Sequence, residues 1–416
     1  MKPRTVIVHP SRRNTSGGRP QIAADIEAGG RRYHICYRAA RGPLAAGPEP
    51  FLAIAVLPAM RLGAPLHVID PVSPLLLQNL EEFQTIVSTW YSELHCVPIK
   101  AGPATVAPRP EQAGIGSFFS GGFDSFYTAL KHQQTITSLI FIRGMDIFLK
   151  QEARLRKISS ANQQAAAELG KPLLEVETNM RDLLDAYADW EDHSHGPALA
   201  SVALALAPQF QRIYINSTAA YYDMGPHGSH CLTDPLWSTE HLSIVHEGCE
   251  ASRYKKIERF MENKTLRRYV RTCYEHPEDG YNCGHCAHCY RMMAFLRGMG
   301  VAEHFTTFPL LPDLDVLRRM PIPSAARRAR FGELLTVLDR SGHDPSVAAA
   351  VRERLERYDE EAKRQRRPSL LRDMQAQAAD VQGRLETLYA SRSWMLTAPI
   401  RAMARRRERI RGGGSE

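Results

Sequence analysis

A short glycine-containing segment constrains the fold of this chain more than any other feature. Residues 120–125 read Ser-Gly-Gly-Phe-Asp-Ser, directly after the apolar run Gly-Ile-Gly-Ser-Phe-Phe and directly before Phe-Tyr-Thr-Ala-Leu-Lys. This order predicts a strand, a glycine turn and a helix. Gly121 and Gly122 permit positive φ and close approach of a ligand, so backbone N–H groups and the helix N-terminus converge on an anion. A nucleotide phosphate is the simplest such anion, and the lack of a following Gly-Lys-Ser/Thr excludes the Walker A arrangement.

Strand-like and helix-like segments alternate around this loop, between residues 113 and 311. Such alternation predicts an α/β fold: a parallel sheet with helices on both faces, whose ligands bind at the carboxyl ends of the strands. The glycine loop lies at such an end. The predicted strands are 115–119, 138–142, 173–176 and 212–216, and the predicted helices are 125–133, 150–169 and 197–207.

Residues 1–112 form a segment distinct from this region, and we predict an N-terminal α+β domain. A linker rich in Pro, Ala and Gly, 101–114, marks its boundary. Alternating residues around the Gly29-Gly30 pair are typical of a hairpin. The predicted elements are this hairpin at 21–38, strands at 51–57 and 66–69, and a helix at 75–90.

The sequence after Pro312 indicates a helical, basic C-terminal region, 312–416. Helical periods with charged faces cover 333–340 and 346–366, and residues 370–389 have a pattern that a short coiled coil would use. The formal net charge is +8, and much of it comes from arginines in this region. Solvated arginines on helix faces explain that excess more simply than nucleic-acid binding does, so nucleic acid is not favoured as a partner.

Size and cysteine usage indicate an ordinary globular protein of a reducing compartment. The chain has 416 residues, 44% of them hydrophobic and 24% charged, which is enough for two or three domains. No apolar stretch approaches the roughly 20 residues that span a bilayer, and the apolar segment at the start is too short for a signal peptide. We therefore expect a cytoplasmic location.

Four of the eight cysteines are crowded together and predict a metal site. Their spacing is C-x9-C-x2-C-x2-C, and the two overlapping C-x2-C steps let thiolates converge on one small ion. Zinc is the expected metal. Four thiolates leave no position for a substrate, so the expected role of zinc is structural, with His285 and His288 more simply explained as solvent-facing members of the knuckle. The predicted ligands are Cys273, Cys283, Cys286 and Cys289.

The Ser-Gly-Gly-Phe-Asp-Ser segment resembles the signature of the PP-loop ATP pyrophosphatase family, Ser-Gly-Gly-x-Asp-Ser. The resemblance implies a PP-loop (HUP-like) fold in which the loop holds the pyrophosphate of ATP while a substrate oxygen attacks the α-phosphorus. With the cysteine spacing, the layout of about 115–300 is similar to 7-cyano-7-deazaguanine synthase-like proteins. It implies pyrophosphate contacts from Ser120, Gly121, Gly122 and Ser125, and a magnesium contact from Asp124.

Further site residues are expected at the same edge of the sheet. The resemblance implies that the segment after the second strand contacts adenine and ribose, because PP-loop enzymes hold them at this edge. A long glycine-rich connection, of a kind that often carries substrate contacts, contains Ser229. Arg253 and Lys256 are suited to stabilise the charge on the α-phosphate as pyrophosphate leaves. For Asp192, His193 and His195 helix capping or a substrate contact is favoured over a metal. The expected adenine and ribose contacts are Ile142, Arg143, Gly144 and Asp146.

Together these features predict an ATP-dependent adenylating enzyme that activates a carboxylate, amide or carbonyl oxygen of a small-molecule substrate for attack by a nitrogen nucleophile. One alternative is a PP-loop sulfurtransferase acting on tRNA or a small molecule. Another is a non-catalytic nucleotide-binding module in polysaccharide assembly. Residues 391–401 are similar to C-terminal segments of bacterial polysaccharide-assembly glycosyltransferases. Their apolar residues beside arginines suit docking on an assembly partner or an anionic membrane surface.

Overall fold

One mixed sheet of eleven strands organises the molecule. The computed structural model describes residues 5–106, 113–273, 281–309 and 313–390. Residues 391–401, for which a role in docking is predicted, lie outside these ranges. The strands are β1 Val6–Val8, β2 Arg12–Ser16, β3 Arg19–Ala28, β4 Arg31–Ala39, β5 Leu66–Val68, β6 Ile99–Lys100, β7 Gly114–Phe118, β8 Ser138–Arg143, β9 Leu173–Thr178, β10 Phe210–Asn216 and β11 Ser243–Glu247.

Helices follow or separate most of these strands. None of them, within the described ranges, is long and apolar enough to cross a membrane. The helices are α1 Glu49–Leu62, α2 Pro74–Trp90, α3 Phe123–Lys131, α4 Glu152–Glu168, α5 Arg181–Tyr187, α6 His195–Ala205, α7 Arg253–Phe260, α8 Lys264–Tyr269, α9 Ala287–Gly298, α10 Leu314–Arg319, α11 Ala325–Ser341 and α12 Pro345–Ala390.

The strand order is β11-β10-β7-β8-β9-β4-β3-β1-β5-β6, with β2 paired to β3. The five strands from β11 to β9 are parallel, as the alternating pattern predicts. From β7 the chain first adds β8 and β9 on one side and then crosses to β10 and β11 on the other. The strand order thus reverses between β7 and β10, which is where α/β sheets bind ligands. The expected α/β class is confirmed.

The N-terminal strands extend this sheet. β4 pairs antiparallel with β9, with Tyr37 opposite Thr178 and Arg38 opposite Glu177. Arg38 Nη1 lies 2.7 Å from Glu177 Oε1. One hydrophobic core joins Phe51 and Ile54 of α1 to residues of α6. The described strands before and after the predicted boundary therefore belong to one continuous sheet, whereas residue 112 itself lies outside the described ranges.

The glycine pair at 29–30 forms the predicted hairpin between β3 and β4. Gly29 has φ +58° and Gly30 has φ +81°, and Ala28 lies opposite Arg31. A two-residue loop with positive φ at both positions matches the twist of the flanking strands, and glycine adopts it without strain.

The strand predicted at 51–57 is wrong, because these residues lie inside helix α1. Every residue from Phe51 to Leu57 is fully buried, between the sheet and neighbouring helices that include α6. A helix buried on all sides has no polar face, so its sequence shows no 3.6-residue period and reads like a buried strand. Pro50 lies in the first turn, where its missing N–H costs nothing, and Gly63 ends the helix in the left-handed conformation.

The C-terminal helices pack beside the parallel strands on a second core. It joins α3 to α9, α11 and α12 through side chains such as Phe126, Phe295 and Phe331. The helices predicted at 333–340 and 346–366 are confirmed within α11 and α12. Residues 370–389, for which a short coiled coil is predicted, lie within α12.

Candidate functional site

A cavity of about 110 Å³ opens at the carboxyl ends of β7, β8 and β10. We call it the main cavity. It lies at the point where the strand order reverses, and apolar walls face charged and polar groups across it. Its lining includes Phe119, Ser120, Gly122, Asp124, Ser125, Phe141, Ile142, Asp146, His195, Asn216, Thr218, Arg253, Arg271 and Thr272.

The glycine loop forms one wall of this cavity. Gly121 has φ +77°, and a Cβ added there would lie 2.6 Å from Asn162 Oδ1. The Gly122 N–H donates to Ser120 Oγ at 3.3 Å, and Ser125 Oγ donates to the Gly122 carbonyl at 2.8 Å. Helix α3 begins directly after Gly122 without a side-chain cap. The loop thus presents the Ser120 hydroxyl and an uncapped helix N-terminus, both of which can donate hydrogen bonds to an anion.

The three residues predicted to be catalytic lie together. Arg253 Nη2 is 2.6 Å from Asp124 Oδ2, and Lys256 Nζ is 3.5 Å from Asp124 Oδ1. The Lys256 side chain is only 1% exposed, and its Nζ also donates to the Ser217 carbonyl at 2.6 Å. Asp124 Oδ1 accepts no hydrogen bond from the described residues. Two cations and one carboxylate therefore lie together beside the loop.

Arg271 is a site residue that the sequence pattern did not indicate. It is buried, and its backbone N–H donates to the Gly121 carbonyl at 2.8 Å. Its guanidinium donates to the Cys273 carbonyl at 2.7 Å and to the Ser120 carbonyl at 3.5 Å. Arg271 thus ties the glycine loop to the segment carrying the first cysteine. The only signal in the sequence is its position two residues before Cys273.

Two buried side chains at the site keep polar atoms without hydrogen bonds. Asn162 is fully buried beside Gly121, and neither of its amide atoms has a partner among the described residues. His195 begins α6 and lines the main cavity. Its Nδ1 also has no hydrogen-bond partner among the described residues. Burial lowers the pKa of His195, against the opposing charge of Asp146, so its imidazole is neutral at neutral pH. Such atoms mark places where a ligand or water completes the structure.

The remaining predicted contacts divide into two groups. Ile142 and Asp146 line the main cavity. Arg143 and Gly144 do not: Arg143 Nη1 lies 3.7 Å from Glu175 Oε2, and Gly144, with φ +90°, packs against the Thr178 carbonyl. Ser229 also lies outside the lining and donates from Oγ to Asp234 Oδ2 at 2.6 Å.

Asp234 is the centre of a buried polar network beside the main cavity. It is fully buried, and its Oδ2 lies 2.7 Å from His246 Nδ1. Burial opposes the charged form of His246, but hydrogen bonds with Asp234 and Cys249 outweigh it and raise its pKa to about 9. The imidazolium in turn helps to lower the pKa of the buried Cys249 thiol, against burial. His246 therefore remains protonated at neutral pH.

The four predicted cysteine ligands lie together in a cluster that could hold a metal ion. The Sγ atoms of Cys273, Cys283, Cys286 and Cys289 all lie within 4.8 Å of one another. Cys283 and Cys289 are 3.8 Å apart at Sγ, which matches the separation of about 3.8 Å expected for tetrahedral zinc with bonds of about 2.3 Å. The Cys286 N–H also donates to Cys283 Sγ at 3.3 Å. The donors and their spacing fit zinc.

The two histidines of this segment are not part of the cluster. His285 is exposed, as expected, and its Nδ1 lies 2.9 Å from the Cys283 carbonyl oxygen. His288 differs from the expectation, because it is partly buried and its Nδ1 accepts a hydrogen bond from Arg291 Nη2 at 3.4 Å. It points toward the interior because α9 begins directly after Cys286 and turns this position toward α7 and α11.

No protein-family model, curated protein or solved structure matches this chain. The structure itself defines an α/β protein with a ligand cavity at the reversal point of its sheet. A four-cysteine cluster that could hold a metal lies behind that cavity.

Proposed function

We propose that this protein is an ATP-dependent adenylating enzyme that converts ATP to AMP and pyrophosphate. It activates a carboxylate, amide or carbonyl oxygen for attack by a nitrogen nucleophile. The observation that carries the proposal is the position of Asp124, Arg253 and Lys256 against the Ser-Gly-Gly loop, at the reversal point of the sheet. The loop's resemblance to the PP-loop signature gives the same reaction type.

The loop supplies the groups that bind the leaving pyrophosphate. Ser120, Ser125 and the first turn of α3 face the main cavity, and α3 adds the favourable field of its N-terminus. Phe141 and Ile142 provide an apolar wall for adenine. Asp124 Oδ1, which accepts no hydrogen bond from the described residues, is available to magnesium, which needs one or two carboxylates besides phosphate oxygens.

In the proposed reaction, the acceptor oxygen attacks the α-phosphorus and the bond from the α-phosphorus to the bridging oxygen breaks. Negative charge grows on that oxygen as pyrophosphate leaves, and Arg253 and Lys256 are placed to stabilise it. The nitrogen nucleophile then displaces AMP from the activated carbon. His195, which is neutral and lines the cavity, would accept the proton that the nitrogen loses.

The bond cleaved in ATP tests this proposal. With ATP, magnesium and a small-molecule cell extract as the source of acceptor, we expect AMP and pyrophosphate in equal amounts. Arg253→Gln should lower the rate about 10²–10³-fold, as the loss of a charge-stabilising donor does. Arg352→Gln is the matched control, because Arg352 also lies 2.6 Å from an aspartate, Asp339, but on exposed helix surfaces. Formation of ADP and phosphate would contradict the proposal.

A further inference from the structure

A second cavity, of about 30 Å³, adjoins the main cavity. Thr218, Arg253 and Thr272 line both, so the two cavities meet at these residues. A buried water needs a cavity of roughly 10–15 Å³, counted as the volume open to the centre of a water molecule. By the same count the second cavity has room for a group of about two to three oxygens. It fits one oxyanionic group and not a whole nucleotide.

Three arginines from three different helices surround this space. Arg253 comes from α7, Arg291 from α9 and Arg330 from α11, and we call the cavity they line the arginine pocket. Asp223 and Glu333 also line it, but within the described part of the chain neither lies within 4.0 Å of an arginine nitrogen. Glu333 instead accepts a hydrogen bond from the Tyr222 hydroxyl at 3.3 Å.

Neither Arg291 nor Arg330 forms an ion pair with a carboxylate of the described residues, and the negative charge of Asp223 acts on Arg330 only from beyond 4.0 Å. Arg291 is only 6% exposed, and its hydrogen bonds go to the Ala287 carbonyl and the His288 ring, both at 3.4 Å. Arg330 is partly buried and forms no side-chain hydrogen bond or ion pair with the described parts of the chain. A buried charge without a partner is strongly unfavourable, so the arrangement favours an anion bound between them.

We propose that the arginine pocket binds an oxyanionic group, a carboxylate or a phosphate, of the acceptor molecule. The planar forks of two arginines match either oxyanion, because each can donate two parallel hydrogen bonds. An acceptor held in this way extends past Thr218 and Thr272 into the main cavity. That the bound molecule is the acceptor rests on the proposed adenylation. That the pocket binds an anion does not rest on it.

The cysteine cluster supports this pocket. Helix α9 begins directly after Cys286, contains Cys289 and carries the buried Arg291 two residues further on. A metal held by the cluster fixes the start of this helix and therefore the position of the Arg291 guanidinium. The zinc site would thus contribute to acceptor binding without touching the acceptor.

Calorimetric titration with inorganic phosphate and with acetate, without nucleotide and at constant ionic strength, tests the proposal. Arg330→Gln should weaken binding of the preferred anion at least about tenfold, the expected loss of a charge-assisted hydrogen bond. Arg330→Lys should restore part of the affinity, and Arg352→Gln should leave it unchanged. Stronger binding of phosphate assigns a phosphate group to the acceptor, and stronger binding of acetate assigns a carboxylate.

The glycine loop offers a second anion site, so Gly121→Ala must be titrated in parallel. The Arg330-dependent binding should persist in that variant. Equal affinity of the unmodified protein and Arg330→Gln for both anions would overturn the proposal, as would no binding of either. Because no nucleotide is present in the titration, a failure to bind either anion would not bear on ATP cleavage. ATP cleavage is decided separately, by whether AMP and pyrophosphate are formed.

Discussion

Lys256 shows how strongly single residues depend on one another at this site. Its ammonium group is almost fully buried and is balanced by Asp124, which also holds Arg253. Removing one partner of such a buried pair costs about 3–5 kcal/mol, whereas an exposed pair contributes about 0–1 kcal/mol. The carboxylate of Asp124 therefore stabilises the fold as well as taking part in the proposed chemistry. If replacing Asp124 abolishes activity, the free energy of unfolding of the variant must be measured too, to separate the two effects.

The His246–Asp234 pair predicts a pH-dependent contribution to stability. The pKa of His246 is about 9 in the folded chain against 6.5 in the unfolded chain. Its contribution is thus fully present below pH 6.5 and is lost as the pH rises through about 9, and its size is about 3 kcal/mol. We expect the free energy of unfolding to fall more steeply from pH 7 to 10 in the unmodified protein than in Asp234→Asn, as urea titrations would measure. Parallel curves would contradict this assignment.

At the residue scale, the sequence predicts what lies close together in the chain. The loop residues and the cysteines share short segments, and their spacing alone indicates an anion site and a metal site. Asn162 and Arg271 reach the site on α4 and on the segment after α8, and His246 reaches the Asp234 network on β11, so no local pattern marks them. The Ser229 contact with Asp234 likewise depends on a loop path that spacing does not determine.

At the scale of elements, α9 links the cysteine cluster to the cavities. It begins directly after Cys286, whose Sγ accepts the Cys289 N–H at 3.5 Å. We predict about one zinc per chain in colourless purified protein, by elemental analysis. Cys286→Ser should lose the metal and lower the melting temperature, because metal binding at such sites is coupled to folding. Stoichiometric iron with absorbance near 400 nm would contradict the prediction and favour the sulfurtransferase alternative.

Several element types were predictable because one face of the element is solvated, although α6, as buried as α1, was also predicted correctly as a helix. Helix α2 alternates buried and exposed positions at the helical period, and β3 and β4 flank a glycine pair that only a hairpin explains. Helix α1 was predicted wrongly as a strand because it is apolar on every side, so its sequence shows no helical period. Its type is set by packing against α6, a contact between residues about 150 positions apart.

At the scale of the whole molecule, the N-terminal strands and α1 complete the sheet that carries the site. A chain of residues 113–416 would expose the edge of β9 and the face of α6 that packs on α1. We expect it to aggregate, because an unpaired edge strand and an apolar helix face both promote association. Size-exclusion chromatography and circular dichroism would show this. A folded, monomeric 113–416 chain that forms AMP would instead establish the boundary at 112 as that of an independent domain.

The central claim, that the glycine loop binds the pyrophosphate of ATP, is tested most directly by calorimetry with ATP and with pyrophosphate. Gly121→Ala and Gly170→Ala form a matched pair: their φ values are +77° and +69°, so alanine strains both backbones, but only at Gly121 would the new Cβ meet Asn162. We predict that ATP and pyrophosphate compete for one site, and that Gly121→Ala loses both while Gly170→Ala keeps both. Equal binding of ATP by the two variants, or no binding of ATP by the unmodified protein, would contradict the claim.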